Sequence, residues 1–288
     1  MTGVTVLKLG GELLEDSARL AEIAGVIAAA AGPLVVVHGG GKEIDAALKR
    51  AGIARRQVDG LRVTDPATLD IVIEVLAGAV NTRLVAAIVH AGGRAVGLTG
   101  ADASLVPAEK APLHRSVDGA VTDLGRVGRP IGIEQPALAS SLMAAGYMPV
   151  VASVAAGADG LLYNVNADTM AADLARRLSA ARLVIAGATP GVLDEDGRTI
   201  ARLDVAGTAA LVAGGVASAG MIAKLTACRD AVAGGVGDVL LIDGRDAKTI
   251  AAALEAGSAP SAATRIVAEE RATEHDNVTA GHRPARGV

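Results

Sequence analysis

Two lysines stand where lysine needs a reason. Lys8 interrupts the apolar run VTVLKLGG, residues 4–11, immediately before a glycine pair. Lysine is almost never fully buried without a partner, so a cation at the end of such a strand, beside glycine amides, points to a bound polyanion. Lys224, in GMIAKL (220–225), taken alone is an ordinary solvated helix residue. Two polar clusters lie between them. LVVVHGGGKEID (34–45) ends an apolar run in His38 and three glycines, and YNVNAD (163–168) sets Asn164, Asn166 and Asp168 ahead of an amphipathic stretch. Helix capping explains one polar residue at that point; it explains three in five residues less well.

The triple glycine admits several chemistries. A Walker A loop needs GxxxxGK followed by Ser or Thr, and here Glu43 follows Gly41-Lys42. A dinucleotide fingerprint needs a glycine at position 44, which is Ile44. An esterase oxyanion hole also reads HGGG after a strand, but it needs a G-x-S-x-G elbow. The nearest stretch, VASAG at 216–220, lacks the first glycine. Two readings stay open: an anion nest at a helix N-terminus, where the absence of Cβ lets backbone N–H groups approach an anion, or a tight structural turn.

These residues need strands to end beneath them and helices to begin beside them. Strands are predicted over residues 4–9, 34–38, 95–98, 149–154, 161–165, 183–186 and 239–242. Helices are predicted over 17–31, 42–51, 66–91, 135–145, 167–180, 219–233 and 247–256. The alternation predicts a mainly parallel sheet covered by helices on both faces, with ligands beyond the carboxyl ends of the strands. Residues 106–129 read as an irregular or hairpin insertion near a cleft, and 268–288 as a polar, disordered tail.

Composition removes several classes. The chain has 288 residues, 51% apolar, with no Trp, no Phe and two Tyr, so Ala, Val, Leu and Ile must fill the core. Scarce aromatics and a formal net charge of −4 argue against nucleic-acid binding. A single cysteine, Cys228, excludes an internal disulfide and a cysteine metal site. No signal-peptide pattern opens the chain, and the apolar stretch at 21–31 is too short to span a bilayer. The expectation is a cytoplasmic protein without nucleic-acid or membrane partners.

Taken together, KLGG at 8–11, HGGG at 38–41, GLRVTD at 60–65, GLTGADA at 97–103, YNVNAD at 163–168 and GMIAKL at 220–225 resemble the amino acid kinase family, over about residues 4–266 and in the family's order. Each motif is weak alone; their order and spacing make the resemblance specific. It implies a three-layer αβα sandwich with an open sheet: residues 1–160 as a lobe for an acyl amino acid and for dimerisation, 161–267 as a lobe for ATP. It implies phosphorylation of the γ-carboxylate of N-acetyl-L-glutamate, with Mg2+ carried by the nucleotide and no metal held by the protein. Lys8 and Lys224 would flank the phosphoryl group, with Asp168 orienting them. Gly11 would hold phosphate, Gly40 and Gly41 the acceptor through their amides, Arg62 a carboxylate as a bidentate donor, and Asn164 the acyl amino acid.

The pattern departs from the family in one turn: relatives resemble DVxGVL where this chain reads ATPGVL at 188–193, so Ala188 replaces an aspartate. Thr189, Gly191 and Ser218 are the nucleotide neighbours that the resemblance carries over. Rival readings are a kinase for carrier-bound 2-aminoadipate or glutamate, a carbamate-phosphorylating member, and a silent amino-acid sensor on the same fold. Retention of Lys8, Asp168 and Lys224 argues against the sensor. Arginine-inhibited members resemble one another in an extra helix ahead of the first strand; with the first strand near Val4, a homodimer that arginine does not inhibit is expected.

Overall fold

The computed structural model describes residues 3–116, 119–213, 219–255 and 257–268. Its frame is an eight-stranded sheet. In chain order the strands are β1 (Thr5–Leu9), β2 (Leu34–His38), β3 (Ala95–Thr99), β4 (Met148–Ala152), β5 (Arg182–Gly187), β6 (Arg202–Asp204), β7 (Asp238–Asp243) and β8 (Thr264–Val267). Across the sheet they lie in the order β6-β8-β7-β5-β1-β2-β4-β3. The six from β7 to β3 run parallel, and β8 pairs antiparallel with β7. This is the open, mainly parallel α/β sheet that the alternation predicts.

Both faces are covered, so the central strands read as continuous apolar runs. On one face Leu7, Leu9, Leu34 and Val36 pack with α1 (Ser17–Ala28), α2 (Gly41–Arg50), the long helix α3 (Pro66–His90) and α8 (Ala247–Leu254). On the other, Val6, Val35, Val37, Leu183 and Ile185 meet α4 (Ala137–Ala144), α5 (Ala167–Arg177) and α7 (Ala219–Ala233). The remaining helix, α6 (Val205–Ala213), precedes α7. Side chains alternate across a strand, so Lys8 shares the α5 face with Val6, while His38 shares the α3 face with Val36.

Three readings of the sequence need correction. Residues 106–129 are more than an insertion: Pro107–Lys110 and Val127–Pro130 close a four-stranded barrel with Val154–Gly157 and Leu162–Val165. A hairpin, His114–Arg115 with Val121–Thr122, projects from it. The strand expected over 149–154 stops at Ala152; the chain turns at Ser153 and enters the barrel. The short strands β6 and β8 and helix α6 have no counterpart in the sequence reading. The tail at 269–288 lies outside the described residues.

One buried network fixes the helix that will matter most. Arg177, near the end of α5, donates from Nε to the Glu134 carbonyl (2.7 Å) and from Nη1 to the Leu105 carbonyl (2.7 Å) and Asp173 Oδ2 (3.2 Å). Its side chain is 4% exposed. Removing one partner of a buried pair strands the other. Arg177→Ala should therefore lose about 3–5 kcal/mol of unfolding free energy in urea titrations; a loss under about 1 kcal/mol would show that the network does not hold α5.

Candidate active site

The carboxyl ends of β1 and β2 carry the polar residues that the sequence singles out. Lys8 sits on β1, 6% exposed, and its Nζ lies 2.8 Å from Oδ1 of Asp168, itself 5% exposed. The oxygen is held by charge rather than by a directional hydrogen bond. Asp168 is brought there by the first turn of α5. Asn166 caps that helix, its Oδ1 accepting from the N–H groups of Asp168 (2.9 Å) and Thr169 (3.1 Å). So Asn166 is the N-cap, and Asn164 and Asp168 are left for other work.

Glycines bring the turns after β1 and β2 together. A Cβ placed on Gly11 would lie 2.5 Å from the Gly40 Cα and 2.8 Å from its nitrogen; only glycine permits that approach. Gly41 opens α2, whose first N–H groups have no partner inside the helix. Helix N-termini of this kind favour anions.

Arg62 closes the far wall from the hairpin Gln57–Val58 and Leu61–Arg62. Its side chain is 8% exposed. Nη2 lies 2.6 Å from Asp45 Oδ1 and donates to the Gly41 carbonyl at 3.2 Å. Nη1 is buried with no hydrogen-bond partner. A buried donor left unmade is costly, so an acceptor belongs there. Asn164 donates from Nδ2 to Thr64 Oγ1 (3.2 Å), and Thr64 donates to the Arg62 carbonyl (3.0 Å), which joins the barrel to the arginine loop.

Lys8, Gly11, Gly40, Gly41, Arg62, Asn164 and Asp168 thus line one cleft of about 240 Å³. Glu12, Gln57 and Ser153 line it too, and none of them carries a signal in the sequence. Lys224 stands at its edge: a Cβ on Gly187 would lie 3.3 Å from the Lys224 ε-carbon and 3.7 Å from Glu12 Oε1. Cys228, one turn further along α7, lies fully buried within the field of Asp168, Lys224 and Lys8. Burial, reinforced by Asp168, pushes its thiol pKa up, so it stays an inert thiol. Two larger hollows, about 640 and 620 Å³, open by the N-terminal ends of the strands, away from these residues; convergence of charge, not size, marks the site. Thr189 is exposed on the loop after β5, and Gly191 is turned inward at φ +100° against Thr264; neither lines the cleft. Ser218 lies outside the described residues.

The fold and cleft define a phosphotransferase of the amino acid kinase type, and the chain belongs to the amino acid kinase family, whose profile matches residues 3–243. Among its relatives, the acetylglutamate kinase of Chloroflexus aurantiacus is 44% identical over 245 residues, covering 84% of this chain and 93% of that one. The acetylglutamate kinase of Chloroflexus aggregans is 42% identical over 263 residues, covering 90% and 100%. A solved structure from Streptococcus mutans, smu.665, superposes with a TM-score of 0.74 at 25% identity, covering 93% of this chain and 100% of that one.

His38 ends β2 fully buried. Its Nδ1 donates to the Gly39 carbonyl (3.2 Å), and Nε2 accepts from Asn81 Nδ2 (3.0 Å). Burial chiefly, with nearby Arg83, pushes its pKa down to about 4 from 6.5, against the opposing effect of the Gly39 carbonyl. The folded state therefore refuses a proton that the unfolded chain accepts. The stability so held is complete above about pH 6.5 and lost as pH falls toward 4, about 3 kcal/mol in all. Urea midpoints between pH 7 and pH 4.5 should fall more for the wild type than for His38→Asn. Equal falls would exonerate His38.

Proposed function

We propose that this cleft binds N-acetyl-L-glutamate beside ATP and transfers the γ-phosphoryl group to the γ-carboxylate, giving N-acetyl-L-glutamyl 5-phosphate for arginine biosynthesis. The observation that carries the reading is the pairing, in one cleft, of a phosphate-type wall (Lys8, Gly11, Asp168) with a carboxylate-type wall (Gly40, Gly41 and the unpaired Nη1 of Arg62). Its relatives named acetylglutamate kinase, 42–44% identical over most of the chain, support it.

The chemistry asks little proton transfer. The acceptor carboxyl, with an intrinsic pKa of about 4.3, is already ionised at neutral pH. Its oxygen bonds to Pγ while the bond from Pγ to the bridging oxygen breaks and ADP departs; no base is needed. The obstacle is repulsion between two anions, so catalysis is positioning plus charge neutralisation. Lys8 and Lys224 supply positive charge to the group in transit, and Asp168 keeps Lys8 on station without removing a proton. Glycine amides at 11, 40 and 41 donate to oxygens, and Arg62 Nη1 meets a carboxylate. Among the described residues no cluster of three or more His, Cys, Asp or Glu forms that could hold a metal. Ammonium groups and amide N–H groups suit phosphate oxygens, and a Mg2+ carried on those phosphates would neutralise further charge there. Residues 1–160 supply most of the acceptor wall, and 161–267 the nucleotide side, including the loop with Thr189 and Gly191, with Ser218 as a further nucleotide neighbour.

We read the protein as a cytoplasmic homodimer. Pro66–His90 is long and apolar enough to cross a membrane by length and composition, yet Val72, Leu76, Leu84 and Ile88 on it belong to the core. Ile71, Ile73, Val85 and Ala87 pack half-buried against the edge of that core, and Val89 stands 51% exposed beside them, an apolar side chain that a second copy of the chain would cover. Light scattering should give twice the mass of one chain for the wild type and a shift toward one chain for Val89→Glu; a monomeric wild type would remove this reading.

Steady-state kinetics test the active site. Lys8→Ala and Lys224→Ala should each lower kcat by about 2–4 kcal/mol of lost transition-state stabilisation, with small changes in KM for N-acetyl-L-glutamate. Arg62→Ala should raise that KM while sparing the KM for ATP. Near wild-type turnover in either lysine variant would make that lysine a bystander.

A further inference from the structure

Gly40 owes its usefulness to the direction of its N–H, and that direction is set from below. In a trans peptide the carbonyl and the following N–H point opposite ways. The Gly39 carbonyl points down, into the α3 side of the sheet, where the Nδ1–H of His38 donates to it at 3.2 Å. The Gly40 N–H therefore points up, toward the cleft that Gly39, Gly40 and Gly41 line with Lys8 and Arg62.

His38 is itself held in one tautomer. Gly39 O can only accept, so Nδ1 carries the proton. Asn81 Nδ2 also donates to the Val150 carbonyl at 2.9 Å, so the nitrogen of that amide faces Nε2, which must accept. Asn81 is 5% exposed. Its Oδ1 lies against the Cα of Gly97 on β3, where a Cβ would collide with it. That explains a glycine in the GLTGADA stretch to which the chemistry of transfer gives no task.

The backbone of α3 is built for this contact. A π-helical segment, Glu74–Val80, ends immediately before Asn81. Each residue turns a helix by about 100°, so the extra residue in a wide turn rotates all that follows by about that angle. It brings Asn81 round to the sheet, under His38. It also lays Leu76 and Val80 against Gly40: a Cβ there would lie 2.8 Å from Leu76 Cδ2 and 3.4 Å from Val80 Cγ2. Such wide turns recur at functional sites.

We infer that His38 and Asn81 are positioning residues: with the wide turn of α3 beneath them, they lock the Gly39–Gly40 peptide so that the Gly40 amide faces the acceptor carboxylate. The inference rests on the proposed function, since it names what the amide meets. Neither residue touches substrate.

The test uses the intact protein and N-acetyl-L-glutamate as probe. Calorimetric affinity and KM values are measured for His38→Leu, His38→Asn, Asn81→Ala and Gly97→Ala, with circular dichroism to confirm folding. His38→Leu, which lacks the donor, should weaken acceptor binding at least tenfold and leave the KM for ATP within about twofold. His38→Asn, which places an amide N–H where Nδ1–H was, should recover binding to within about threefold of wild type. Asn81→Ala and Gly97→Ala should give intermediate losses on the acceptor side alone. The readout independent of turnover is the Gly40 amide resonance in 15N-labelled protein, which should move on adding N-acetyl-L-glutamate to wild type and stay put in His38→Leu. A folded His38→Leu that binds as wild type does, or whose Gly40 resonance moves equally, overturns the inference. If His38→Leu does not fold, unchanged acceptor binding by Asn81→Ala overturns it instead. Wild-type protein that neither binds nor phosphorylates N-acetyl-L-glutamate overturns the proposed function, a result distinct from either.

Discussion

The ion pair between Lys8 and Asp168 is the constraint around which the molecule is arranged. Two charges about 5% exposed cannot be left apart inside a protein, because desolvation of either alone is too costly. Their meeting requires the centre strand of the sheet and the first turn of α5 to register within hydrogen-bonding range. The small side chains of Ala171, Ala172 and Ala175 let α5 settle closely on the sheet, and the Arg177 network pins its other end. A core with no Phe or Trp is suited to this, since aliphatic and alanine packing keeps the helix layer thin and the strand ends accessible.

Charge then grades across the cleft. Lys8 and Lys224 bring positive charge to one side, the side proposed for phosphate, while Arg62, half committed to Asp45, offers one free nitrogen on the other. Between them are backbone amides, which carry no formal charge and cost no side-chain ordering. A reaction between two anions is served by such a gradient without a titrating base, which suits a cleft whose supporting histidine, His38, is kept neutral beneath it.

Much of this was legible because strand-end chemistry leaves compact traces. An unexplained lysine in an apolar strand and a glycine run after another strand mark residues that the structure does bring together. Asn166, Asn164 and Asp168 could be told from mere capping only by number, and the structure divides the labour among them. Arg62 was legible as a donor but not as one whose Nη2 is already engaged, because Asp45 lies 17 positions away and on a different element. Of the barrel only the last strand, expected over 161–165, was legible, and the rest stayed hidden for a physical reason. The strands are four residues each, and the two that prolines bound, Pro107–Lys110 and Val127–Pro130, pair with distant segments, so no local alternation announces them. The wide turn in α3 was equally silent, since it changes the phase of a helix and not its composition.

Cys228 gives this arrangement an internal clock. It is the chain's single thiol, fully enclosed among the core residues that α5 and α7 contribute. A sulfhydryl reagent can reach it only when those helices part. The rate at which native protein takes up one equivalent of label thus measures how often the layer carrying Asp168 and Lys224 breathes, and a ligand bridging both residues should slow that breathing without touching the sulfur.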